Sequence, residues 1–144
     1  MAQAWPVPQA GPLTATTGAQ RAGIIFPAAS RLNTTDSGVF TGVAYANSAA
    51  SGVRLFIDVT DRHTNGTLTV KVQAQDPASL NWVDIPNATT AAIAATGTTT
   101  LTIYPSITET ANVDVAAPLA AMWRVIATVA TATMDFSIGG EYLG

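Results

Sequence analysis

A chain of 144 residues is the size of one domain built around one core. Apolar residues make up 48% of it and charged residues only 10%, against a usual charged share of about 25%, so Thr, Ala, Ser and Asn must cover an exterior that favours surface contact over repulsion in solution. Six basic residues against nine acidic ones give a net charge of −3 with no basic footprint for nucleic acid, no cysteine is present for disulfides or thiolate metal sites, and no apolar run approaches a membrane span.

From Met1 to about Asp36 the chain is rich in Pro, Gly, Ala and Thr, with apolar residues grouped as Trp5-Pro6-Val7-Pro8 and Ile24-Ile25-Phe26-Pro27. Met1 to Pro12 lacks a basic start and an apolar segment of the secretory type, so synthesis in a host cytoplasm is expected. Alternating prolines favour polyproline II and remove ladder donors, which predicts an extended arm over residues 1–38. Its large apolar groups have to be buried, either on the chain's own body or on a neighbouring molecule. Trp5, Val7, Ile24, Ile25 and Phe26 are therefore the candidate interface residues, with Trp5 as an anchor for a neighbour's pocket.

Residues 39–144 are expected to form the body. Val39 to Tyr45 reads as a first strand and Asn47 to Gly52 as a loop. Val53, Leu55, Ile57 and Val59 alternate with Arg54, Asp58 and Thr60, the pattern of a strand with one buried face, which Phe56 breaks on the outer side. Leu68, Val70, Val72 and Ala74 repeat the pattern, and Asn65-Gly66 between the two runs predicts a hairpin with a tight turn. Asp76-Pro77-Ala78-Ser79 is turn chemistry, and a short strand from Trp82 to Ile85 is expected to stop at Pro86 and Asn87. The alanine-rich span 88–95 is compatible with a short helical turn. Thr99 to Tyr104 is β-rich and ends at Pro105, and 106–118 reads as a loop. Met122 to Val129 and Thr133 to Leu143 are the last strands, the first with Trp123, Val125, Ala127 and Val129 inward and the second with Met134, Phe136 and Ile138 inward. Gly139-Gly140 marks a bulge or a close approach. Some seven short strands without a βαβ unit predict an all-β sandwich, jelly roll or barrel.

Catalytic vocabulary is sparse. The single histidine, His63, lies beside a predicted turn and reads as solvated, and no Gly-x-Ser-x-Gly elbow occurs. Asp58, Asp61, Asp76 and Asp84 match no calcium-loop spacing and read as exposed strand and turn carboxylates. Neither enzymatic activity nor a cofactor or metal is expected. Trp82 and Trp123 read as sheet-packing residues. A carbohydrate-binding or host-adhesion module using Trp82, Tyr104 or Tyr142 as a stacking platform is the alternative.

The stretches Gly52 to Asp61, Leu68 to Pro77 and Asn81 to Ile85, with Trp123-Arg124-Val125 and Phe136 to Gly140, resemble small structural proteins of tailed-bacteriophage virions. In size and composition the chain is most similar to the capsid decoration, or cement, proteins of that group. The resemblance covers roughly Val39 to Leu143 and leaves the arm aside. It implies a homotrimer on the outer surface of the virion head, with the major capsid protein as partner and no nucleic acid or membrane contact. A tail-tube or tail-tip subunit is the other role it allows.

Overall fold

The computed structural model describes residues 12–13, 21–31 and 38–144. Ten strands and no helix are found among them: β1 (Ala22–Arg31), β2 (Val39–Thr41), β3 (Tyr45–Ala46), β4 (Gly52–Arg62), β5 (Thr67–Gln75), β6 (Trp82–Thr89), β7 (Gly97–Ile103), β8 (Asp114–Val115), β9 (Met122–Ala130) and β10 (Met134–Leu143). One sheet runs β1-β10-β4-β7-β8, and the other runs β2-β9-β5-β6 with β3 also on β9. The antiparallel pairs are nested: β1 with β10, β2 and β3 with β9, β4 with β7, β5 with β6. A long hairpin so nested, rolled until β10 meets β4 and β9 meets β5, is a jelly roll. This decides among the all-β architectures expected from sequence.

Alternation supplies the core. Val53, Leu55, Ile57 and Val59 of β4 and Leu68, Val70 and Val72 of β5 are buried, as are Trp123, Val125, Ala127 and Val129 of β9 and Met134, Phe136 and Ile138 of β10. Each side chain of this size contributes about 1.5–3 kcal/mol when removed from water. An aromatic trio holds the sheets together at one end, with Trp123 tilted by 35° against Tyr45 at 4.9 Å and edge-on to Tyr142 at 6.0 Å.

The predicted hairpin across Asn65-Gly66 is corrected. β4 and β5 lie in opposite sheets, so the turn carries the chain across the sandwich instead of closing a ladder. Two runs that each bury one face satisfy the same alternation whether they sit side by side or face each other. The positive φ falls on Thr64 at 53°, while Gly66 is needed for space, since a Cβ there would sit 2.9 Å from the Thr133 carbonyl.

Three other elements differ from expectation. β6 continues past Pro86 and Asn87 to Thr89, which an edge strand tolerates because its outer donors are not needed for a ladder. The span 88–95 forms no helical turn, and Ile93 instead bridges to Leu68. The expected 39–45 strand is broken. Between the pairs Thr41 with Ile126 and Tyr45 with Trp123, this strand advances four residues while β9 advances three, and the extra residue forms a bulge that throws Val43 outward.

Residues 22–31, assigned to the arm from sequence, are extended and form an edge strand of the body sheet along β10. Ile24 faces Gly139 while Phe26 faces Ile138, so β1 carries one residue more than β10 between these pairs. That bulge lets the consecutive Ile25 and Phe26 both reach the core. Gly140 makes room for Ile25 and Leu13, because a Cβ at that position would meet the Ile25 Cδ1 at 2.7 Å and the Leu13 Cδ2 at 3.3 Å.

Candidate interaction surface

The outer face of the β1-β10-β4-β7 sheet is built from the residues that alternate with the core. Phe56 lies at its centre with 38% of its surface exposed, an uncommon position for a phenylalanine. Its cross-strand partners are Gly139 on β10 and Thr100 on β7, so neither directly paired side chain is large. Of the charges nearby, Arg54 and Glu141 pair, with the Arg54 Nη1 3.4 Å from the Glu141 Oε1, and Asp58 accepts a hydrogen bond from the Thr98 hydroxyl at 3.3 Å. An apolar spot on a hydroxyl-rich face results.

The other sheet presents a polar network. The Arg124 guanidinium stacks 4.3 Å above the Trp82 ring and donates from Nε to the Gln73 Oε1 at 2.9 Å. Gln73 in turn donates to Asp84, which Lys71 also contacts. Hydrogen bonds from Gln73 and then Lys71 hold the Asp84 carboxyl below its ordinary range.

A groove runs along the seam where β1 of one sheet approaches β3 of the other. Pro12, Leu13, Ile24, Ile25, Pro27, Val43 and Tyr45 line about 340 Å³ of space, with no charged side chain among them. Leu13 is fixed by its backbone N–H, which donates to the Ile24 carbonyl at 2.8 Å.

The predicted interface residues divide. Trp5 and Val7 lie outside the described residues. Ile25 and Phe26 are each only 7% exposed and sit in the chain's own core, so of the two burial partners weighed from sequence, these two residues use their own body. Arg31 closes over them, with its guanidinium 5.1 Å from the Phe26 ring and 4.5 Å from that of Phe136. Ile24 is half-buried and lines the seam groove.

No family model matches the sequence, and no curated protein matches it. Among solved structures, a chain in the structure of infectious bursal disease virus Gt strain is similar at 11% identity and a TM-score of 0.43. The likeness covers 96% of this chain and 38% of the other, so the chain spans well under half of that neighbour's length. It carries no argument about function.

Of the aromatics weighed as a glycan platform, Tyr142 is only 2% exposed and packs against Trp123, which removes it from that role. Burial, then the neighbouring Tyr45 phenol, pushes its own phenol up to about 12. Trp82 and Tyr104 keep partial exposure.

The acidic residues do not converge. Asp76 accepts from the Ala78 N–H and the Ser79 hydroxyl, which lowers its pKa and caps a turn, while Asp58 and Asp84 have the partners given above. Asp61 instead joins His63 and Asp135, with the His63 Nε2 at 3.6 Å and 3.1 Å from their carboxylates. Ligand atoms of these three lie within 4.8 Å of one another, an arrangement that suits an exposed ion-pair cluster and that a cation could also use. A hydrogen bond from Ser30, then His63, lowers the Asp135 pKa. The order Ser30, Asp135, His63 puts the carboxylate in the middle, so the imidazole is not placed to take the hydroxyl proton as in a nucleophilic triad.

Proposed function

We propose that this protein is a non-enzymatic structural component of a virus particle, of the capsid-decoration kind, that binds the outer capsid surface as an oligomer and bridges neighbouring shell subunits. The exposed Phe56 on a hydroxyl-rich sheet face, where Arg54 pairs with Glu141, carries this reading, together with a composition that leaves the exterior short of charge. Protein contacts are anchored by such aromatic groups surrounded by neutral, water-excluding neighbours. Jelly rolls serve in virus coats and in lectins alike, so the fold supports the reading without deciding it.

Mechanically, no bond chemistry is required. A protein that binds only the assembled shell stabilises it by mass action. Contacts of about 1,000 Å² become strong when a trimer engages several joints, because later contacts form at high effective concentration. Co-sedimentation of the purified protein with shells assembled without it tests the reading: saturable pelleting with the shells is expected, and no pelleting at micromolar protein overturns it.

A second reading, a glycan-binding adhesion module, is favoured by Trp82 and the Arg124, Gln73 and Asp84 groups around it. Binding on a glycan array that is lost in Trp82→Ala would support it over shell decoration.

A further inference from the structure

We infer that the outer face around Phe56 is a two-fold joint with a second copy of this chain, in which Phe56 of each copy seats at Gly139 of the other. The inference rests on the reading that the protein works as an oligomer, and it names the contact. Gly139 is the residue that one copy does not explain. Its neighbour Gly140 makes room for Ile25 and Leu13, whereas the only described atom within 4 Å of a Cβ added at Gly139 is the Gly23 carbonyl oxygen, at 3.7 Å, an ordinary contact. The fold of one copy therefore accepts a side chain there. A glycine inside a strand weakens it and marks a place that another group approaches closely. Phe56, its partner across the ladder, does not supply that group within the chain, since none of its atoms comes within 4 Å of the position. A hollow of about 410 Å³ opens beside Gly139 instead, with Ile24, Pro27 and Ala28 among its walls.

Register says what fills the gap. Ile24 on β1, Gly139 on β10, Phe56 on β4 and Thr100 on β7 form one row across the outer face, so a projecting ring stands one strand away from a missing side chain. The next row along the strands holds Glu141 beside Arg54, and the row on the other side holds Ser137 beside Asp58. A second copy placed face to face, about a two-fold axis that runs along the strands midway between β4 and β10, exchanges those two strands. β4 of each copy then covers β10 of the other at the same height. Phe56 meets Gly139, Arg54 meets Glu141, and Asp58 meets the Ser137 hydroxyl, each contact being made twice. Arg54 and Glu141 are suited to sharing, because their side chains are 42% and 43% exposed, which leaves each an open side for the opposite charge of the second copy. Packed sheets cross at about 30°, and one row from Phe56, about 7 Å along the strand, that crossing displaces a pair by roughly 3 Å, within reach of these side chains.

One operation thus matches three rows in shape, charge and hydrogen bonding. Such self-complementarity is what an isologous contact needs and what nothing demands of a face meant for a different protein. An axis laid across the strands would instead put Phe56 on Phe56 and Gly139 on Gly139, leaving both hollows empty. The unit is then a dimer where the resemblance to decoration proteins implied a trimer, and two copies gain avidity for a shell on the same argument as three. Four strands about 4.8 Å apart and the seven residues of β7 at about 3.3 Å each give a footprint of roughly 400 Å² per copy, a contact of the weak class. Pairing is therefore read at high micromolar protein.

Sedimentation velocity and native mass spectrometry of the full chain, Arg54→Glu, Glu141→Arg and Gly139→Val test this, with thermal melts at low micromolar protein, where the full chain is single, to confirm folding. The full chain should form a dimer. Arg54→Glu and Glu141→Arg should each stay single, because either one sets like charges against each other across the joint, and their equimolar mixture should pair again as a dimer of one copy of each. Gly139→Val should weaken pairing at least about tenfold by filling the seat of the ring, whereas Gly139→Ala should melt no lower than the full chain because its own fold has room. A full chain that stays single, a trimer, a dimer indifferent to the three substitutions, a mixture of folded charge variants that does not pair, or a lowered melt in Gly139→Ala would each overturn the inference, the last by showing that the glycine serves its own fold. Shell binding is read separately. A dimer joined at this face that ignores shells sinks the proposed function alone, and shell binding by an oligomer joined elsewhere sinks this inference alone.

Discussion

Replacing Phe26 by alanine separates a body strand from a free arm. The ring is 7% exposed, its centroid 6.2 Å from that of Phe136, and it lies beneath the Arg31 guanidinium. Removing it forfeits a transfer term of about 1.5–3 kcal/mol and an aromatic pairing of about 0.5–1.5 kcal/mol. With the cavity left behind, the total falls in the range of about 3–5 kcal/mol measured for Phe→Ala in cores. For a chain of this length each kcal/mol corresponds to about 3–4 °C, so the melting temperature should fall by roughly 10–20 °C. Urea unfolding at one fixed protein concentration is the assay, and the midpoint should drop with the slope unchanged. If β1 were an arm waiting for a partner, the loss in the isolated protein would be within about 0.5 kcal/mol, as for surface positions. A measured change below about 1 kcal/mol would refute the account of β1.

Phe56→Lys should leave the melting temperature within a few degrees, because the ring is partly exposed, yet weaken shell binding at least about tenfold in co-sedimentation. Deleting residues 2–11 should leave the body folded by circular dichroism, whereas deleting 1–35 should unfold it by removing β1. Raising the pH should destabilise the protein between about 10 and 12: the Tyr142 phenol is raised, so the neutral form is favoured, and the stability it contributes is complete below the ordinary value near 10 and lost as pH climbs to the folded value of about 12. Phenolate absorbance read beside a melting curve checks this. At the acid end the signs reverse. Asp76, Asp84 and Asp135 are held below their ordinary values, so their contribution is present above about pH 4 and fades as pH drops through the folded values.

Much of the core was legible in the sequence because alternation reports which face of a strand is buried. Val53 to Val59, Leu68 to Val72, Trp123 to Val129 and Met134 to Ile138 point inward as the pattern requires. What alternation does not carry is the identity of a strand's neighbour, which is why β4 and β5 read as a hairpin. Bulges hid the rest. Ile25 and Phe26 are consecutive and both buried, a departure from simple alternation, so their stretch looked like an arm. Of the interaction surface, Phe56 was visible as a break in its strand's pattern. The seam groove was not, since it gathers Pro12, Leu13, Ile24, Ile25, Pro27, Val43 and Tyr45 from separate elements and depends on the outward turn of Val43.

The proposed role in the shell is tested most directly by electron microscopy of virions assembled with and without this protein. The difference map should show discrete density on the outer surface of the head, repeated at the joints between capsid subunits. Density restricted to the tail, or two indistinguishable maps, would contradict it.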